Sequence, residues 1–104
     1  MTSLLVRPEA ESDIYEAYSW YETRSAGLGE AFLDSVQIAL QAIRENPRRF
    51  PIVMQDAKTL VRRALTSKFP YGLYFALIEF EDIVSVIACM HARQQPGRWI
   101  RRVR

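Results

Sequence analysis

The sequence predicts an α+β domain in which a helical hairpin packs on an antiparallel sheet, in the order β-α-α-β-β-β. Apolar residues recur at three- and four-residue steps through the first half of the chain, in two stretches parted by a glycine-containing break. From residue 60 the pattern changes to short apolar, β-branched and aromatic runs separated by polar turns. With 104 residues, 49% of them apolar and 25% charged, the chain can build one modest core, so residues 1–104 read as a single domain.

The run SLLVR at 3–7 reads as the first strand. Pro8 suits the first turn of a helix, where its missing N–H is no loss, and Glu9, Glu11 and Asp13 set negative charge near the helix's positive end. Ala10, Ile14, Ala17, Tyr18 and Tyr21 then form one apolar stripe. Trp20 projects to roughly the opposite side; packing under the next helix is the expected fate of a single large aromatic, and exposure to a partner is the alternative. Gly27 and Gly29 break the pattern, after which Leu28, Phe32, Ser35, Val36, Ala39, Leu40 and Ile43 mark the face of a second helix. Pro47 ends it by biasing Asn46 away from helix, and so short a break predicts an antiparallel hairpin. The segment PRRFPIVMQDAK at 47–58 has two prolines and no sustained period, so it reads as a loop.

Three strands are expected in the second half. LVRRALT (60–66) carries Leu60, Val61, Ala64 and Leu65 around Arg62 and Arg63. YGLYFALIEF (71–80) and IVSVIACMHA (83–92) are apolar on both faces and flank an acidic turn at Glu79, Glu81 and Asp82, which predicts a hairpin at the centre of a sheet covered on two sides.

The net charge is +2, but its distribution is uneven. Residues 1–56 hold five arginines and nine acids, a charge of −4; residues 57–104 hold nine Lys or Arg and three acids, a charge of +6. A basic half of this kind suits nucleic acid or an acidic protein segment, and it also occurs in proteins that bind nothing charged. No apolar run approaches the ~20 residues of a membrane span, so no membrane association is expected. The N-terminus turns acidic too soon for a signal peptide, and the one cysteine, Cys89, cannot make an internal disulfide, which suggests a reducing cytoplasm. One Cys and one His give no zinc set, and there is no glycine-rich phosphate loop or nucleophile elbow, so neither a metal nor another cofactor is expected.

The candidate site residues are basic and aromatic. His91 and Arg93 lie two apart at the end of the last strand, so an extended backbone puts them on one side. Such a pair can move a proton and hold a phosphate, as metal-free RNA cleavage requires; equally, His91 can bond to backbone and close the core. Arg62 and Arg63 are adjacent and must face opposite ways, with Lys68 close after them. Tyr71 and Tyr74 can stack on bases or pack in the core. Arg98, Arg101, Arg102 and Arg104 surround Trp99; they form a solubilising tail, or a placed patch if Trp99 packs on the sheet.

The stretch VRRALTSKFPYGLYFALIEFEDIVSVIACMHARQQPGRW (61–99), with PEAESDIYEAYSWY (8–21) and NPRRFP (46–51), resembles the RelE/ParE family of bacterial toxins in the order and spacing of its parts. The resemblance implies a cytoplasmic type II toxin neutralised by a co-encoded antitoxin, a flexible and often acidic segment of which wraps the toxin's basic surface. RelE-like members cut mRNA on the ribosome, whereas ParE-like members inhibit DNA gyrase. RelE-like sites carry an arginine in the strand that begins here at Tyr71, and Gly72 stands in that place. The FPY strand and the His-Arg ending are closer to ParE-like members, so gyrase binding is the favoured expectation. If the chain were RelE-like, His91, Arg63 and Arg93 would be its catalytic residues. A third possibility is an inactive relative that only binds an acidic peptide. Arg62, Lys68, Tyr71, Arg98, Trp99, Arg101 and Arg102 are the expected antitoxin- or target-binding residues. The cations of the later strands and the C-terminal end are expected to converge on one exposed face, across the sheet from the helical pair.

Overall fold

The computed structural model describes residues 2–93 and 97–103, with Glu79 and Gly97 described by their backbone alone. Strand β1 (Ser3–Val6) leads into α1 (Pro8–Arg24) and α2 (Leu28–Glu45), and a 3-10 turn (Pro47–Arg49) leads into β2 (Ile52–Gln55). Strands β3 (Leu60–Leu65), β4 (Tyr71–Ile78) and β5 (Ile83–His91) follow, and the chain closes with α3 (Gly97–Val103).

Local chemistry accounts for the helical hairpin. Pro8 sits in the first turn of α1 with Glu9 and Glu11, as the dipole favours. Gly27 caps the start of α2 at φ 90, a left-handed conformation that costs glycine little. The Glu22 carboxylate of α1 accepts hydrogen bonds from the Gly27 and Gly29 N–H groups, satisfying donors that the first turn of α2 leaves without intrahelical partners.

The five strands form one sheet in the order β1-β5-β4-β3-β2. The expected α+β class holds, with two refinements. The pairs from β2 to β5 are antiparallel, but β1 runs parallel to β5, with Ser3 opposite Ile83 and Val6 opposite Val86. The segment read as a loop also contains β2, an edge strand of four residues with a register shift between Ile52 and Met54. Pro51 hid it, since proline is tolerated at the start of an edge strand where the sequence pattern argues against a strand.

Two cores lie on opposite faces of the sheet. On one face α1 packs Ala10 and Ala17, and α2 packs Phe32, Val36, Ala39 and Ile43, against Ala64, Leu73, Phe75, Val84, Val86 and Cys89. On the other face Val61, Tyr74, Ile87, Ala88 and Met90 cluster with Trp99 of α3. Strands β4 and β5 are therefore covered on both sides, as their double-sided apolarity requires. Trp20 departs from expectation: it is half-exposed, with the Arg24 guanidinium 3.8 Å from its ring centroid and Tyr21 edge-on at 5.1 Å. Trp20 lies off the stripe of α1 on which Ala10 and Ala17 are buried.

Candidate functional site

The parallel pairing of β1 stops at Val86, and β5 continues to His91 with no strand among the described residues paired along that stretch of its outer edge. Side chains from two helices close that edge. Asp13 of α1 accepts the Cys89 N–H at 3.0 Å and a two-pronged contact from Arg102 of α3, at 2.6 and 3.1 Å. Arg102 also donates to the Ile87 carbonyl at 3.2 Å. The pair is largely shielded from water, and the hydrogen bond to Asp13 raises the already high Arg102 pKa further. Both backbone groups are thus satisfied without a sixth strand.

Beside this clasp lies a cavity of about 420 Å³ between α1 and the ends of β4 and β5, walled by Glu16, Trp20, Tyr21, Tyr71, His91 and Arg98, among others. Its aromatic wall is continuous with the core: Tyr71 meets Tyr21, Phe32 and His91 edge-on. Burial raises the Tyr71 hydroxyl pKa, and the Tyr21 and Cys89 groups add to the shift. Burial, with Asp13 as a second cause, pushes the Cys89 thiol up to about 12. Burial therefore favours the neutral thiol over the thiolate, which is the nucleophilic form.

His91 Nδ1 accepts the Arg93 backbone N–H at 3.1 Å, which assigns the ring proton of the neutral form to Nε2. The lone pair needed by a general base is therefore held in a turn. Arg63 lies on the other face of the sheet: it pairs with Tyr74, and its stem lies over Gly72. His91 and Arg63 are not brought together. Arg93 is exposed in the turn after β5.

The remaining expected residues scatter as well, which corrects the expectation of a single basic face. Arg62 turns to the helix-bearing side, where its Nη1 donates to the Phe50 carbonyl at 2.6 Å and the Arg48 carbonyl at 3.1 Å. Lys68 occupies the β3–β4 turn at φ 71, exposed. Trp99 is 4% exposed and stacks on Tyr74 at 4.8 Å and 22°, so α3 is an anchored element and not a loose tail. Arg98 and Arg101 remain exposed on it, Arg102 is engaged with Asp13, and Arg104 lies outside the described residues. Strand alternation dispersed Arg62 and Arg63, and the turn of α3 dispersed the rest. Sequence reasoning missed Asp13, although its position three residues after Ala10 and four before Ala17 puts a carboxylate on the buried stripe of α1.

Among the described residues, no cluster of His, Cys, Asp or Glu is placed to hold a metal ion, and no helix is long and apolar enough to cross a membrane. Comparison with curated proteins gives no match. Residues 4–96 match the family described as the ParE toxin of the type II toxin–antitoxin system, parDE. That match spans nearly the whole fold, from β1 past the end of β5, and the chain belongs to this family of type II toxins.

Proposed function

We propose that this toxin acts in the cytoplasm by binding DNA gyrase rather than by cutting RNA, and that its antitoxin neutralises it with a flexible acidic segment. One observation carries the reading: His91, the candidate proton carrier for RNA cleavage, and Arg63, a candidate cation for its phosphate, stand apart. His91 spends its Nδ1 lone pair on the Arg93 N–H, and Arg63 is on the opposite face of the sheet. Phosphoryl transfer without a metal needs proton acceptor, proton donor and cation within reach of one phosphate. Inhibition by binding needs only an ordered surface, and the anchored α3 with exposed Arg98 and Arg101 supplies one.

Two assays on the purified chain test this side by side. Supercoiling by gyrase should fall as toxin is added, while message on translating ribosomes stays intact. Cleaved message with normal supercoiling would reverse the assignment. Induction in cells without antitoxin should arrest growth, and normal growth with folded protein present would remove the toxin reading itself.

A further inference from the structure

Neighbouring arginines on β3 have opposite circumstances. Arg62 is committed to two carbonyls of the chain that precedes β2. Arg63 makes no side-chain hydrogen bond or ion pair with any described residue, and its Nε is buried without a partner. A buried donor left unpaired is costly and calls for an explanation. The seat of Arg63 is also specific. A Cβ at Gly72 would lie 3.1 Å from both Cγ and Cδ of Arg63, so the missing side chain on β4 is what lets the arginine stem lie flat across the strand. Tyr74, directly opposite Arg63 and stacked under Trp99, bounds the seat, and Leu65, two residues along the same strand, is 59% exposed.

We infer that Arg63, seated by Gly72, is the anion contact of the sheet face bearing α3, and that its ligand is a carboxylate in an acidic and apolar extended segment of a partner protein. A single guanidinium beside an exposed leucine and an aromatic stack suits one carboxylate flanked by apolar side chains. A phosphodiester backbone calls for several cations along its path; on β3 only Arg63 serves this face, since Arg62 turns away to the other, and the exposed Arg98 and Arg101 belong to α3. The inference rests on the antitoxin reading for the identity of that partner, and it assigns to Arg63 a contact role distinct from catalysis. Gly72 is then a positioning residue: it acts only through Arg63.

The test uses the full chain with three probes: a short synthetic peptide alternating glutamate and valine, its glutamine counterpart, and a single-stranded oligonucleotide. The glutamate peptide should bind, and Arg63→Ala should weaken it by about tenfold or more, the usual range for a lost charge-assisted contact. Gly72→Ala should weaken it with Arg63 still present, because the new methyl group displaces the stem; the Nε–Hε resonance of Arg63 should move in that variant and on peptide addition. Arg62→Ala should leave peptide affinity unchanged. Equal binding of the glutamine peptide, no effect of Arg63→Ala, or no binding at all would overturn the inference. Displacement of the peptide by the oligonucleotide at lower concentration would reassign the contact to phosphate. Growth arrest by the unmodified chain is read separately, so loss of this site and loss of the toxin reading stay distinct.

Discussion

The two faces of the sheet are covered by unequal amounts of chain. One carries thirty-odd residues of α1 and α2 (Pro8–Arg24 and Leu28–Glu45), whose rings interlock with the strands: Phe32 is fully buried and meets Tyr21, Phe69 and Tyr71 within about 5.5 Å. The other is covered by α3, seven residues long, held by the Trp99–Tyr74 stack and the Asp13–Arg102 clasp. A helix that short does not persist on its own in water, so its order is lent by those contacts. The thick face holds the fold together; the thin face presents surface.

Substitutions that treat the two faces alike should separate them. Phe32→Ala is expected to cost about 3–5 kcal/mol, the range for a large aromatic deleted from a closed core, and to lower the urea midpoint of the whole domain. Trp99→Ala removes a ring of similar burial, yet α3 can detach while the sheet persists. Its global cost should be the smaller, with the main change in faster amide exchange along α3. Equal losses of global stability would show that both faces belong to one cooperative unit.

Alkaline titration probes the thick face alone. The buried Cys89 thiol has its folded pKa raised from 9.0 to about 12, so the neutral form is favoured by folding. That contribution is complete below the ordinary thiol value and is lost as pH rises from there toward the folded value. Stability should fall by on the order of 2–3 kcal/mol over the first two pH units above it. Burial also raises the Tyr21 and Tyr71 pKa values, which adds a loss of the same sign beginning near their ordinary value of 10.0. Cys89→Ala should flatten the earlier part of the decline, as followed by chemical denaturation at stepped pH.

The clasp joins the two faces. Asp13→Ala leaves Arg102 without its counter-charge and the Cys89 N–H without an acceptor, for an expected loss of about 2 kcal/mol. In a double-mutant cycle with Arg102→Ala the two losses should be far from additive. Additive losses would mean the contact contributes little. The smallest effect concerns β3. Arg62→Ala should cost about 1 kcal/mol through its bonds to the Arg48 and Phe50 carbonyls, whereas Arg63→Ala should be neutral or stabilising, since it removes an unpaired buried donor. Thermal melts of the two variants compare them directly.

Much of the fold was legible in the sequence because it rests on local rules. The stripes of Ala10, Ile14 and Ala17 and of Phe32, Val36 and Ile43 gave both helices their buried faces, and Gly27 gave the hairpin its bend. Apolarity on both faces of β4 and β5 placed them at the centre of the sheet. The short strand β2 was hidden by Pro51 and by its four-residue length, too short to display a period. The parallel pairing of β1 with β5 joins residues about eighty positions apart, and no local pattern encodes its direction.

The candidate site was less legible. Sequence required that Arg62 and Arg63 face opposite ways, but not which one the fold would engage. The answer came from the Phe50 carbonyl arriving on one side and Gly72 lying open on the other. Asp13 carried a weak signal, a carboxylate on an apolar stripe, whose meaning appeared only when β5 was seen to outrun β1.

By itself the sequence determined the α+β class, the helical hairpin and the acidic-to-basic division of the chain, because side-chain periodicity, turn chemistry and composition act over a few residues at a time. Tertiary structure alone decided where each cation points, that Trp99 anchors α3, and that His91 and Arg63 lie on opposite faces. Those outcomes depend on strand order and register, which are fixed by contacts between residues far apart in the chain.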